Sequence, residues 1–96
     1  MTDATEKRIV ERALNRLTGD GYRVVLASDG ETRYRVGTPL AALEAADGTD
    51  MAVFFLEKPG HHCSLFVTWG EGADVICDLS ADSEAELERI DPIIWP

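Results

Sequence analysis

Apolar side chains near the start of the chain recur at helical spacing: Ile9, Val10, Ala13, Leu14 and Leu17 form one stripe. Asp3 is placed to cap this helix, and Glu6, three residues on, completes a capping-box-like start. Arg8, Arg12 and Arg16 recur every four residues on the outer face, with Glu6 and Glu11 beside them, and Gly19-Asp20-Gly21 stops the helix. The period then changes to alternation. Tyr22–Ala27 and Thr32–Val36 read as strands around the turn signal Ser28-Asp29-Gly30, so Tyr22–Val36 predicts a β-hairpin. Thr32, Tyr34 and Val36 fall on one face of it, Arg33 and Arg35 on the other.

Thr38-Pro39 is a helix entry, a capping hydroxyl followed by proline at the first helical position. Leu40, Leu43 and Ala46 or Ala45 give this short helix its buried side, and Gly48 ends it. Met51–Glu57 is the most apolar strand, expected to be central and covered on both faces. Pro59-Gly60 turns the chain into His62–Trp69, and Gly70-Glu71-Gly72 turns it again into a last strand, Asp74–Leu79. Ser83 and Glu86 offer a second capping box, for a helix of about two turns. Asp91-Pro92 should break it, because the residue before proline avoids the helical region. Ile93-Ile94-Trp95 should pack back onto the body. The expected fold is α+β in the order α-β-β-α-β-β-β-α: an antiparallel sheet of four to five strands with helices packed on one face, in a single domain spanning residues 1–96.

Size and composition agree with that expectation. Ninety-six residues, 45% hydrophobic, suffice for one core. The longest apolar run, Met51–Leu56, is far short of a membrane span. The opening Thr2-Asp3-Ala4-Thr5-Glu6 lacks the apolar core of a secretory signal, so a cytoplasmic location is expected. Two cysteines, Cys63 and Cys77, are too few for a disulfide framework and are expected as buried thiols.

Charge changes the picture. Residues 1–36 carry seven basic and six acidic side chains, whereas residues 37–96 carry only Lys58 and Arg89 against twelve acidic ones. The whole chain has a formal net charge of −9. Such a field repels polyanions and attracts basic surfaces. The carboxylates Glu71, Asp74, Asp78, Asp82, Glu84, Glu86 and Glu88 are the candidate partner-binding residues. Solubilisation by the same charges is the bland alternative.

No catalytic or cofactor signature emerges. His61, His62 and Cys63, with Cys77 and Asp78 on the next strand, are metal-ligand types. Consecutive strand residues point to opposite faces, however, and no C-x-x-C or H-x-x-x-H pair supplies a chelating half. The acidic surroundings of the cysteines would raise a thiol pKa, contrary to what a nucleophile needs. Asp74, Asp78 and Asp82, spaced by four, lack the alternating aspartates, glycine and terminal glutamate of a calcium loop. Gly70-Glu71-Gly72 lacks the lysine of a phosphate loop. Arg23, Arg33 and Arg35 on the sheet, and Arg8, Arg12 and Arg16 on the first helix, have no nucleic-acid-binding motif beside them. Ion pairing within the chain, an acidic partner, or the acidic half of a second copy suits them better. Neither an enzyme nor a metal or cofactor site is expected.

Val67-Thr68-Trp69-Gly70 followed by Asp74-Val75-Ile76-Cys77-Asp78-Leu79-Ser80, with the upstream turn Val25-Leu26-Ala27-Ser28-Asp29-Gly30-Glu31, resembles small acidic proteins carried by tailed phages and prophages of proteobacteria. The chain departs from them at Glu71, where they usually have asparagine, and near Leu79, where they carry an aromatic residue. The resemblance implies an accessory gene of a mobile element and transfers no catalytic residue. It directs expectation to a non-catalytic protein that occupies a basic, nucleic-acid-binding surface of a host or defence protein, as an anti-CRISPR or anti-restriction inhibitor would. The alternative is a self-assembling homodimer that buries its exposed sheet face or the tail Ile93-Ile94-Trp95 against a copy.

Overall fold

The computed structural model describes residues 4–95. The expected element order is observed: α1 (Ala4–Gly19), β1 (Arg23–Ser28), β2 (Arg33–Arg35), α2 (Pro39–Ala46), β3 (Met51–Lys58), β4 (His61–Thr68), a short 3₁₀ turn (Gly72–Asp74), β5 (Ile76–Ala81) and α3 (Glu84–Ile94). The strands form one antiparallel sheet in the order β2-β1-β3-β4-β5, so β3 is central and β2 and β5 are the edges. Each hairpin is closed where the sequence placed a turn. Gly60, with φ +80°, supplies the left-handed residue between β3 and β4.

All three helices lie against one face of the sheet. Val10, Ala13, Leu14 and Leu17 of α1, Leu43 of α2, and Ile90 and Ile94 of α3 share a core with Val24, Phe54, Leu56, Leu65, Val67 and Leu79. The other face is open. Val53, Phe55 and Phe66 point there and stay half-buried, so β3 is central but covered on one face only. A continuous apolar run does not distinguish a strand between two layers from one whose second face meets solvent.

Further differences from the sequence expectations have local causes. Leu40 is 63% exposed, because the eight-residue α2 turns Ala42, Leu43 and Ala46 inward instead. Cys77 is exposed rather than buried, because β5 carries a register shift opposite Phe66/Val67 that leaves this residue unpaired. Helix α3 runs through Asp91-Pro92 to Ile94. Proline forfeits one hydrogen bond near the helix end, where the Glu88 carbonyl can be hydrated. Burial of Ile90 and Ile94 and a 2.7 Å bond from Trp95 Nε1 to Asp91 Oδ1 hold the last turn in place.

The glutamates of both expected capping boxes are buried. At α3, Ser83 Oγ accepts the Glu86 amide at 3.1 Å, but the Glu86 carboxylate turns into the protein. Asp3 lies outside the described residues. Glu6, expected on the outer face of α1, is only 2% exposed. Its carboxylate accepts the Gly70 amide at 3.0 and 3.1 Å and the Gly72 amide at 2.5 Å, which ties α1 to the β4–β5 connection. Gly70 itself has φ +93°, a conformation that side-chain-bearing residues rarely adopt.

Because these bonds go to a carboxylate, E6A should destabilise the fold by about 1.5–3 kcal/mol in urea or thermal unfolding. E6Q should recover part of the loss. A wild-type midpoint for E6A would show that the clamp carries no stability.

Candidate functional site

Two polar features stand out: a charged cluster where α3 crosses the sheet, and a set of exposed carboxylates on β5, the connection before it and α3. The cluster centres on Glu86, which is 4% exposed. Tyr22 donates its hydroxyl to Glu86 Oε2 at 2.5 Å. Arg89 donates Nε to Oε1 and a terminal nitrogen to Oε2, both at 2.7 Å. Arg89 also makes a bidentate contact with Asp20 at 2.9 and 2.7 Å. Lys58 Nζ lies 3.2 Å from Asp20, 3.5 Å from Glu86 and 4.8 Å from the centre of the Tyr22 ring. Thus the only two basic residues of the acidic segment, Lys58 and Arg89, converge on the same two carboxylates.

Electrostatics follow the geometry. The hydrogen bonds from Arg89 and then Tyr22 hold the Glu86 carboxyl far below its ordinary value, and Arg89 and Lys58 lower Asp20 against the opposing effect of burial. Burial, with Glu86 beside it, raises the Tyr22 phenol. The Cys63 thiol is pushed up to about 12, first by burial and then by the Glu86 charge. A thiol so placed is almost wholly protonated at neutral pH and is a poor nucleophile.

Beside the cluster, an open cleft of about 660 Å³ is lined by Gly21, Arg23, Glu57, Lys58, Pro59, Gly60, His61 and His62. Most of its nitrogen-bearing side chains already face carboxylates. Arg23 meets Glu57 at 3.3 Å, Lys58 meets Asp20 and Glu86, and His61 Nδ1 meets Asp82 at 3.2 Å. Among the described residues, no group of three or more His, Cys, Asp or Glu side chains is arranged to hold a metal ion. His62 and Cys63 point to opposite faces of β4, and Cys63 pairs with Ala81 rather than Cys77.

The seven candidate carboxylates divide into two groups. Glu86 is withdrawn into the charged cluster, and Asp82 accepts the His62 amide at 3.1 Å and faces His61. Those contacts outweigh burial and lower the Asp82 pKa. Glu71 and Asp74 in the connection before β5, Asp78 on β5, and Glu84 and Glu88 one turn apart on α3 are exposed. Among the described residues, none of these five forms an ion pair. The sequence signal for the withdrawal of Glu86 was the scarcity of basic residues after position 36: wherever Lys58 and Arg89 went, carboxylates had to be consumed. Tyr22 and Asp20 carried no comparable signal, since their roles depend on contacts distant in sequence.

Comparison with protein-family models, with curated proteins and with solved structures finds no match. Among the described residues, no helix is long and apolar enough to cross a membrane.

Two outcomes follow from the cluster. Below the ordinary glutamate value of 4.5, the unfolded chain binds protons that folded Glu86 and Asp20 refuse, so stability should fall as pH drops through and below that region. E86Q should lower the unfolding midpoint at neutral pH and flatten this acid limb, whereas E84Q and E88Q should do neither. In the native protein, a disulfide-exchange reagent should label Cys77 and spare Cys63, so that C77S abolishes native labelling. Equal labelling of both thiols would contradict the burial of Cys63.

Proposed function

We propose that the protein is a non-catalytic binding protein whose acidic rim engages a basic surface on a partner protein. One observation carries the reading. After internal ion pairing has consumed Glu86 and Asp82, five exposed carboxylates that form no ion pair among the described residues remain on the edge strand β5, its preceding connection and helix α3, with Asp78 accepting only the Leu79 amide at 2.8 Å. Concentrated charge of one sign on an edge speeds encounter with a basic surface and disfavours acidic competitors. It also discourages strand addition at β5, a protective role that accounts for part of the charge without any partner.

The finer reading is that the partner binds nucleic acid and that the rim competes for its phosphate-binding surface. The resemblance of residues 25–31 and 67–80 to proteins of tailed phages supports this, through the setting of a cytoplasmic mobile-element protein acting on a host or defence protein. Inhibition of the anti-CRISPR or anti-restriction type is its specific form.

The test is a pull-down from a proteobacterial lysate at low and high salt, with the wild type and with E71K/D74K/E84K/E88K. A basic nucleic-acid-binding protein should be retained at low salt, released at high salt, displaced by duplex DNA and absent from the variant's eluate. Recovery of no such protein, or retention unchanged by the four substitutions, would overturn the reading.

A further inference from the structure

The open face of the sheet has a charge and hydropathy layout that complements itself. Directly paired residues on neighbouring strands share a face, so the register defines rows across it. One row reads Arg33, Ser28, Val53, Phe66, Asp78 from β2 to β5. The next reads Arg35, Leu26, Phe55, Ser64, Ser80. Both rows start with arginine on the β2 edge, both have an apolar residue on central β3, and the first ends in aspartate on the β5 edge. Val53, Phe55, Phe66 and Leu26 are half-buried there, and no helix covers them.

We propose that this face binds a second copy of the chain, about a two-fold axis running along β3. Such an axis lays β2 of one protomer over β5 of its partner and β3 over β3. Within the first row, Arg33 then faces the partner's Asp78 at each edge, and Val53 meets its own copy at the centre. In the second row Phe55 meets Phe55. The strands of the two sheets remain roughly aligned, the arrangement of sheets stacked about 10 Å apart. An axis across the strands would instead place the arginines of one β2 over those of the other and leave Asp78 without a cation. Self-complementarity therefore selects the axis along the strands. At the far end, Glu57 meets its own copy, with the Arg23 of each protomer 3.3 Å from that carboxylate to offset the like charges. Of the five exposed carboxylates of the acidic-rim reading, this inference uses only Asp78, and E71K/D74K/E84K/E88K leaves the proposed interface intact, so the two readings fail separately.

Sedimentation equilibrium of the full chain at protein concentrations on the order of 100 µM tests it. The wild type should be a dimer that weakens with added salt. R33D and D78R should each weaken the dimer by about tenfold, because each removes both symmetry-related pairs. R33D/D78R, which rebuilds the pairs in reverse, should return to within about threefold of wild type. F55K should give a monomer with unchanged circular dichroism and, at concentrations low enough for the wild type to be monomeric as well, a cooperative urea transition close to that of the wild type, which separates loss of association from loss of fold. A monomeric wild type, a dimer indifferent to F55K, or a double variant weaker than either single one would overturn the proposal.

Discussion

A carboxylate taken out of water has to be met by charge and hydrogen bonds, and the burial of Glu86 organises much of this molecule. Its partners come from the start of β1 (Tyr22), the end of β3 (Lys58) and the next turn of α3 (Arg89), and Arg89 and Lys58 are shared with Asp20 just past α1. Apolar packing of Ile90 and Ile94 would hold α3 against the sheet over a range of rotations and translations. The bidentate Arg89 contacts and the Tyr22 hydroxyl restrict that range, because directional bonds tolerate little displacement. Removing one partner leaves the others facing an incompletely compensated buried charge, so the cluster behaves as a unit. Glu6 does for the β4–β5 connection, with two backbone amides, what Glu86 does for α3.

The second constraint is sidedness. With three helices on one face, the sheet is a two-layer structure whose open face must be compatible with water or with a partner. Along β4 the outward positions are His62, Ser64, Phe66 and Thr68, mostly polar, as expected of a solvated face. Along β3 they are Met51, Val53, Phe55 and Glu57. The excess of apolar residues is therefore local to the middle of the face, and it coincides with the central strand rather than with an edge, where it would invite strand addition.

Much of the architecture was legible in the sequence because its signals are local. Thr38-Pro39, Ser83, Pro59-Gly60 and the alternation around Ser28-Asp29-Gly30 each specify a backbone event within a few residues, and each occurs where expected. What was illegible depends on partners far along the chain. The run Met51–Leu56 does not state how many of its faces are covered. Pro92 argues for a helix end until the burial of Ile94 is known. Glu6 and Glu86 fit a capping pattern through their spacing, yet their carboxylates serve groups 64 or more residues away, Gly70 and Gly72 in one case and Tyr22 in the other. The candidate acidic surface was legible as a composition and only partly as a site, because spacing alone did not separate Glu86 from its neighbours Glu84 and Glu88.

That separation changes what the net charge means. A formal −9 suggests a uniformly acidic particle, but the charges are sorted by structure. Arg8, Arg12 and Arg16 stand on the exposed side of α1, and Arg33 and Arg35 mark the β2 edge. Asp78, exposed on β5, marks the opposite edge, and Glu84 and Glu88 stand exposed on α3. Across the sheet, the arginines of β2 and Asp78 of β5 are separated by four strand spacings, about 19 Å. Since salt at physiological strength screens exposed charges over about 8 Å, an approaching partner senses one edge at a time rather than the net charge.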